Sequence, residues 1–251
     1  MISTMSVQIR RRAHVRQIMG MPISIHVRAH DPDRPEVLGA VERAFAHLQR
    51  VDRVLSTWRA DSDLLRLQHG EIDEPDDWVA EVTDLCLEAE ERTDGLFAAW
   101  RALPLGRTVF DPTGLVKGWG VEGAAAHLEL APEISWSIGA GGDIVCGTGR
   151  GMRDQDPVWR IGIEDARQAG RIVDVVPLSR GAIATSGSAA RGAHIRDPRT
   201  GRALDHPGSV SVTGPRLLWA DVWATAAYVD PTRAARLIQE RDPAYRLINH
   251  L

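Results

Sequence analysis

From residue 22 the segment Pro22-Ile23-Ser24-Ile25-His26-Val27 alternates apolar and polar side chains, the two-residue period of a strand with one buried face. Past the turn-prone Asp31-Pro32-Asp33-Arg34-Pro35 the period lengthens. Leu38, Val41, Phe45, Leu48, Val51 and Leu55 recur at steps of three and four, which predicts a long amphipathic helix. A second helix is predicted over residues 76–93, with Val79, Val82, Leu85, Cys86 and Ala89 on one face. Acidic residues at its start suit the helix dipole, and Gly95 suits its C-terminal cap. Residues 115–130 also read as a helix, although Gly118, Gly120 and Gly123 weaken it. Strands are expected at residues 135–138, 158–163, 172–177 and 209–212. The apolar helix ADVWATAAY (220–228) follows, then a helix over Pro231–Arg241 and a closing strand near 245–248. Helices and strands mix without strict β-α-β alternation, so the expected class is α+β, as a single domain over residues 1–251. Residues 1–15 are expected to be disordered.

Composition narrows the function classes. The chain has 251 residues, of which 43% are hydrophobic and 25% charged, an ordinary soluble-globular balance with enough length for a substantial core. A net charge of −4 supplies no basic field for nucleic acid. The two cysteines, Cys86 and Cys146, stand in no CxxC or Cys/His cluster, and buried inert thiols are expected at both. No apolar run approaches the ~18 residues of a membrane span, and no signal-peptide core follows the N-terminal arginines. The cytoplasm is the expected compartment.

Four segments carry more chemistry than packing requires. Asp111-Pro112-Thr113-Gly114 is turn chemistry opening a helix, where free N–H groups favour an anion and Lys117 adds a charge one turn on. Gly139-Ala140-Gly141-Gly142-Asp143 follows a predicted strand; it is either a site of close backbone approach or a tight β-turn. Ala184-Thr185-Ser186-Gly187-Ser188 offers hydroxyls for phosphate oxygens. Close behind it, His194-Ile195-Arg196-Asp197-Pro198-Arg199-Thr200-Gly201 sets an imidazole three residues from a carboxylate in a shaped loop. Finally, Asp221 and Thr225 fall on one face of ADVWATAAY. Two hard oxygens at that spacing suit Mg²⁺ or Ca²⁺, but taken alone the pair is better explained by a dipole-favoured Asp and a back-bonding Thr.

In this order the segments resemble the ApbE family, the FAD:protein FMN transferases. The matching pieces are Met19–Met21, LSTWRADSDLLRL (55–67), DGLF (94–97), DPTGLVKGWGVE (111–122), GAGGDI (139–144), ATSGS (184–188), HIRDPRTG (194–201) and ADVWAT (220–225). The resemblance implies an α+β core of T-fold-like type with a flanking helical portion and an FAD groove between them. It implies Mg²⁺, FAD as substrate, AMP as leaving group, and an acceptor flavoprotein modified on a Thr or Ser hydroxyl. Met19 and Trp58 would line the flavin end, Trp58 standing where the family commonly has Tyr, and Leu96, Phe97 and Ala98 would line the same groove. Asp111, Lys117, Ser186 and Ile195 would contact the nucleotide. His194 would be the base for the acceptor hydroxyl. The metal ligands would be the carbonyls of Gly114 and Leu218, the carboxylate of Asp221 and the hydroxyl of Thr225. One departure stands out: the family's G-x-F-[DN]-[PI]-[TA] is here Gly95-Leu96-Phe97-Ala98-Ala99-Trp100, which removes an acid or amide at Ala98. Two other readings remain open, an FAD pyrophosphatase without a protein acceptor and a non-catalytic flavin-binding protein.

Overall fold

The alternation at residues 22–27 is the centre of strand β2 (Met21–Ala29), which buries Ile23, Ile25, Val27 and Ala29 on one face. It pairs antiparallel with β1 (Arg10–Ile18) along the full length of both strands. Met19 and Gly20 form the two-residue turn between them, with φ of 54° and 70°. Two positive φ values match the right-handed twist of a tight hairpin. This corrects the expectation of disorder for residues 10–15, which belong to a strand; residues 1–7 lie outside the described residues. An edge strand can be polar on both faces, because pairing to β2 sets its conformation and most of its side chains remain in water. The computed structural model describes residues 8–102, 106–152, 158–188, 195–205 and 207–250.

Five more strands extend the sheet: β5 (Ser135–Ala140), β6 (Asp143–Thr148), β9 (Gly181–Gly187), β10 (Ser209–Gly214) and β11 (Arg246–His250). The order is β1-β2-β5-β6-β9-β10-β11, and every neighbouring pair is antiparallel. Gly141 and Gly142 form the turn between β5 and β6 at φ of 58° and 97°, and a Cβ on Gly139 would lie 2.9 Å from the Ser24 hydroxyl oxygen of β2, so GAGGDI is both a tight turn and a close approach to a neighbouring strand. The ATSGS segment belongs largely to a strand. Its residues 184–187 finish β9, and Thr185 and Ser186 are held in register opposite Ser211 and Val210.

The helices are α1 (Pro35–Leu55), α2 (Asp63–Gln68), α3 (Asp77–Arg92), α4 (Thr113–Glu129), α5 (Leu217–Val229) and α6 (Pro231–Arg241). Helices α4 and α5 lie against the sheet, and α1 packs on α4. Two short strands, β3 (Trp100–Ala102) and β4 (Thr108–Phe110), pair beside them. The stripe of α1 runs through Val37, Val41, Phe45, Leu48, Val51 and Leu55, whereas Leu38 is 36% exposed at its edge. Beyond α3 both Asp94 and Gly95 are left-handed, with φ of 52° and 75°. The N–H of Asp94 donates to the Glu91 carbonyl and that of Gly95 to the Glu90 carbonyl, which closes the helix end as a Schellman motif. Helix α5 is buried nearly all round, enclosed by α4, α6, β9 and β10, which is why its sequence carries almost no polar face.

On the opposite side of the sheet, β7 (Trp159–Glu164) and β8 (Ile172–Leu178) form a hairpin whose Trp159, Ile161 and Ile163 cover Cys146 and Ile183. Both cysteines are buried, and desolvation pushes each thiol pKa up to about 12. They are inert packing groups, as expected. Among the described residues, no helix is long and apolar enough to cross a membrane.

Candidate active site

The odd feature of α4, its glycines, explains how two helices meet. A Cβ on Gly118 would lie 3.1 Å from the Leu218 Cα, 3.2 Å from the Leu217 carbonyl oxygen and 3.3 Å from the Asp221 Cβ. Glycine therefore lets α4 and α5 approach backbone to backbone. The residue before it, Lys117, is thereby carried to the carboxylate of Asp221, with Nζ 3.4 Å from Oδ2. The same ammonium makes a closer ion pair with Asp143, the first residue of β6 after the double-glycine turn. Asp143 is fully buried, and its other oxygen accepts the Thr185 backbone N–H at 3.0 Å. One turn along α5 from Asp221, the Thr225 hydroxyl lies 3.3 Å from the Ser186 hydroxyl on β9. Four separate elements, α4, β6, β9 and α5, thus converge on one polar pole.

This pole forms one end of a cavity of about 790 Å³. Leu96, Phe97, Ala98, Asp111, Gly114, Lys117, Ser186, Ile195, Asp221 and Thr225, all candidates from the sequence, lie on its wall. Asp111 also opens α4: its Oδ1 accepts from the Thr113 hydroxyl at 2.7 Å and the Thr113 N–H at 3.3 Å. The loop from Ile195 to Leu204 closes on itself. Asp197 accepts the backbone N–H of Arg199 at 2.9 Å and a two-point contact from its guanidinium. That guanidinium holds the Asp197 carboxyl below the usual carboxylate range. Asp197 therefore shapes the loop.

Three candidates stand elsewhere. Met19 sits in the β1–β2 turn, and Leu218 is fully buried within α5; neither lies on the cavity wall. Trp58 is 92% exposed, on the loop between α1 and α2, and is also off the wall. His194 lies outside the described residues; Ile195, next in sequence, lines the cavity. Trp100, Arg101 and Asp143 were not picked out beforehand. Trp100 occupies the last position of the altered G-x-F-[DN]-[PI]-[TA] motif, on the cavity wall, and its ring is 4.9 Å from that of Phe110 across β3–β4. The motif departure was legible, but that it places an aromatic face on the wall was not. Asp143 stood in plain view in GAGGDI, yet nothing local pairs it with a lysine 26 positions earlier.

Comparison with known proteins agrees with this architecture. A model of the ApbE family matches residues 19–103 and 99–248. The chain belongs to the ApbE family. A Klebsiella pneumoniae protein named FAD:protein FMN transferase is 25% identical over 92% of this chain and 82% of its own length. A Vibrio cholerae protein of the same name is 32% identical, over 47% of this chain and 38% of its own. The fold is that of solved ApbE structures. The Thermotoga maritima ApbE protein superposes with a TM-score of 0.76 at 18% identity, over 96% of this chain and 94% of that one. The flavin transferase ApbE of Vibrio cholerae does so with 0.75 at 19%, over 96% and 97%.

The donor set at the polar pole can be tested against a divalent cation. Asp221, Thr225 and the Gly114 carbonyl are hard oxygens from residues on one wall, the ligand class that Mg²⁺ takes in partnership with substrate phosphates and water. Two carboxylates and one ammonium leave the pole one negative charge in excess. Among the described residues there is no group of three or more His, Cys, Asp or Glu side chains placed to hold a metal ion. The residues present fit Mg²⁺.

Proposed function

We propose that this chain is a Mg²⁺-dependent FAD:protein FMN transferase. The observation that carries the reading is the cavity itself. One end combines Lys117, Asp221, Thr225 and Ser186 for phosphate oxygens and a cation, while its walls include Leu96, Phe97 and Trp100 for flat rings. The names of the relatives and the family membership support the same activity.

In this reading Asp221, Thr225 and the Gly114 carbonyl hold the cation. When bound, Mg²⁺ supplies neutralisation of the charge that develops on the pyrophosphate oxygens. Lys117 and the N-terminus of α4 orient the phosphates, and the low exposure of the pole keeps bulk water from competing with the acceptor. His194 is assigned as the base. It takes the proton of the acceptor's Thr or Ser hydroxyl as that oxygen bonds to the FMN phosphorus, while the bond to the AMP phosphate oxygen breaks and AMP leaves. The acceptor is a second protein engaged transiently.

The test is incubation of the purified chain with FAD, Mg²⁺ and candidate acceptor proteins. Covalent flavin fluorescence on an acceptor, with equimolar AMP, is expected. AMP without labelled protein would make the chain a hydrolase instead, and bound FAD with no AMP a carrier. Asp221→Ala is expected to abolish turnover, and undiminished Mg²⁺-dependent activity in that variant would remove the metal assignment.

A further inference from the structure

The ammonium of Lys117 is divided between carboxylates of two different elements, and the division is unequal. Asp143 is the nearer partner, and Asp221 Oδ2 stands at 3.4 Å. Asp143 is held at both of its oxygens. Its side chain is 0% exposed, it follows directly on the β5–β6 turn, and its second oxygen is tied to the Thr185 N–H of β9. Asp221 lies instead on the cavity wall beside Thr225. Lys117 and a divalent cation are alternative partners for the Asp221 carboxylate. Two positive charges drawn to one buried carboxylate repel each other strongly where water is scarce.

We propose that Asp143 is a positioning residue: it holds Lys117 beside Asp221 rather than upon it, and so sets the affinity of the Asp221–Thr225 oxygens for a divalent cation. This rests on the metal assignment made above. Asp143 ligates nothing in this scheme and acts only through Lys117. Without its charge, Asp221 is left as the carboxylate partner of the lysine, the pair tightens, and the cation must compete for it. Without the lysine, the competitor is gone. Coupling between two sites of this kind typically spans roughly 5–150-fold in affinity.

Mg²⁺ affinity of the FAD-free protein, measured by calorimetry and by the rise in melting temperature on adding Mg²⁺, tests this directly. Asp143→Asn keeps an acceptor for the Thr185 N–H and is expected to weaken Mg²⁺ binding roughly tenfold. Lys117→Met is expected to tighten it, and Lys117→Gln serves if the Met variant does not fold. The decisive measurement is the double variant. If Asp143 acts through Lys117, adding Asp143→Asn to Lys117→Met changes Mg²⁺ affinity by no more than roughly twofold, the limit of ordinary additivity. If the tenfold loss persists without the lysine, Asp143 acts by its own field and the proposal is overturned. Equal weakening by both single variants also overturns it, because it marks a general loss of packing. Absence of Mg²⁺ binding to the wild type would overturn the metal assignment and this proposal together, whereas the other outcomes bear on the coupling alone.

Discussion

The helix that carries Lys117 is anchored by a group whose charge state depends on pH. His47 on α1 lies among Trp78, Trp119 and His127, with ring centroids 5.1, 6.3 and 5.7 Å away. It meets α4 at Gly123, the one residue small enough to accept its ring there. Desolvation, then the charges of His127 and Arg50, lower its pKa from 6.5 to about 4. The folded state therefore prefers neutral His47, and the unfolded chain takes up the proton first. The resulting stability is fully present above about pH 6.5 and is lost as the pH falls from there toward 4. The full shift would be worth about 2 kcal/mol between pH 7 and pH 5. The ring is only half-buried, and solvent screening reduces this to about 1 kcal/mol. The assay is urea denaturation of wild type and His47→Gln at pH 7 and pH 5. Carboxylates and the other histidines contribute to both proteins and cancel in the double difference. His47→Gln is expected to lose about 1 kcal/mol less than wild type between the two pH values. Equal losses in the two proteins would refute the argument, since His47 would then titrate alike in folded and unfolded chains.

Two further outcomes follow from the geometry. Gly118→Val is expected to cost about 1–3 kcal/mol by forcing α4 away from α5, and to weaken Mg²⁺ binding by separating the Gly114 carbonyl from Asp221. Denaturant melts and calorimetry would read both effects, and unchanged values would mean that the helices do not meet there. Trp100→Ala is expected to weaken FAD binding by about 1–3 kcal/mol of ring stacking, as read by flavin fluorescence. An equal loss in Trp58→Ala with none in Trp100→Ala would return the stacking platform to the loop between α1 and α2.

Periodicity in the sequence determined most of the elements. Residues 22–27 are a strand because only alternation buries one face of it, and α1 and α6 follow from three- and four-residue spacing. Local patterns also drew attention to Gly114, Asp221 and Thr225, although Asp221 and Thr225 alone favoured a dipole-stabilised acid and a back-bonding hydroxyl, and only the company of the other motifs reversed that order. The elements it failed to show are those whose side chains carry little pattern. Strand β1 is polar on both faces and exists through its pairing with β2; β9 was hidden beneath the hydroxyls of ATSGS. What only the tertiary structure decided is which charges meet. Lys117, Asp143 and Asp221 come from a helix, a strand start and another helix, and are separated by 26 and 78 positions. Their convergence depends on a glycine thin enough for two helices to touch and on a turn tight enough to bury an aspartate. A charge in sequence states only that a partner is needed. Packing, which sums contacts over distant segments, chooses the partner, and here it set Lys117 between Asp143 and Asp221.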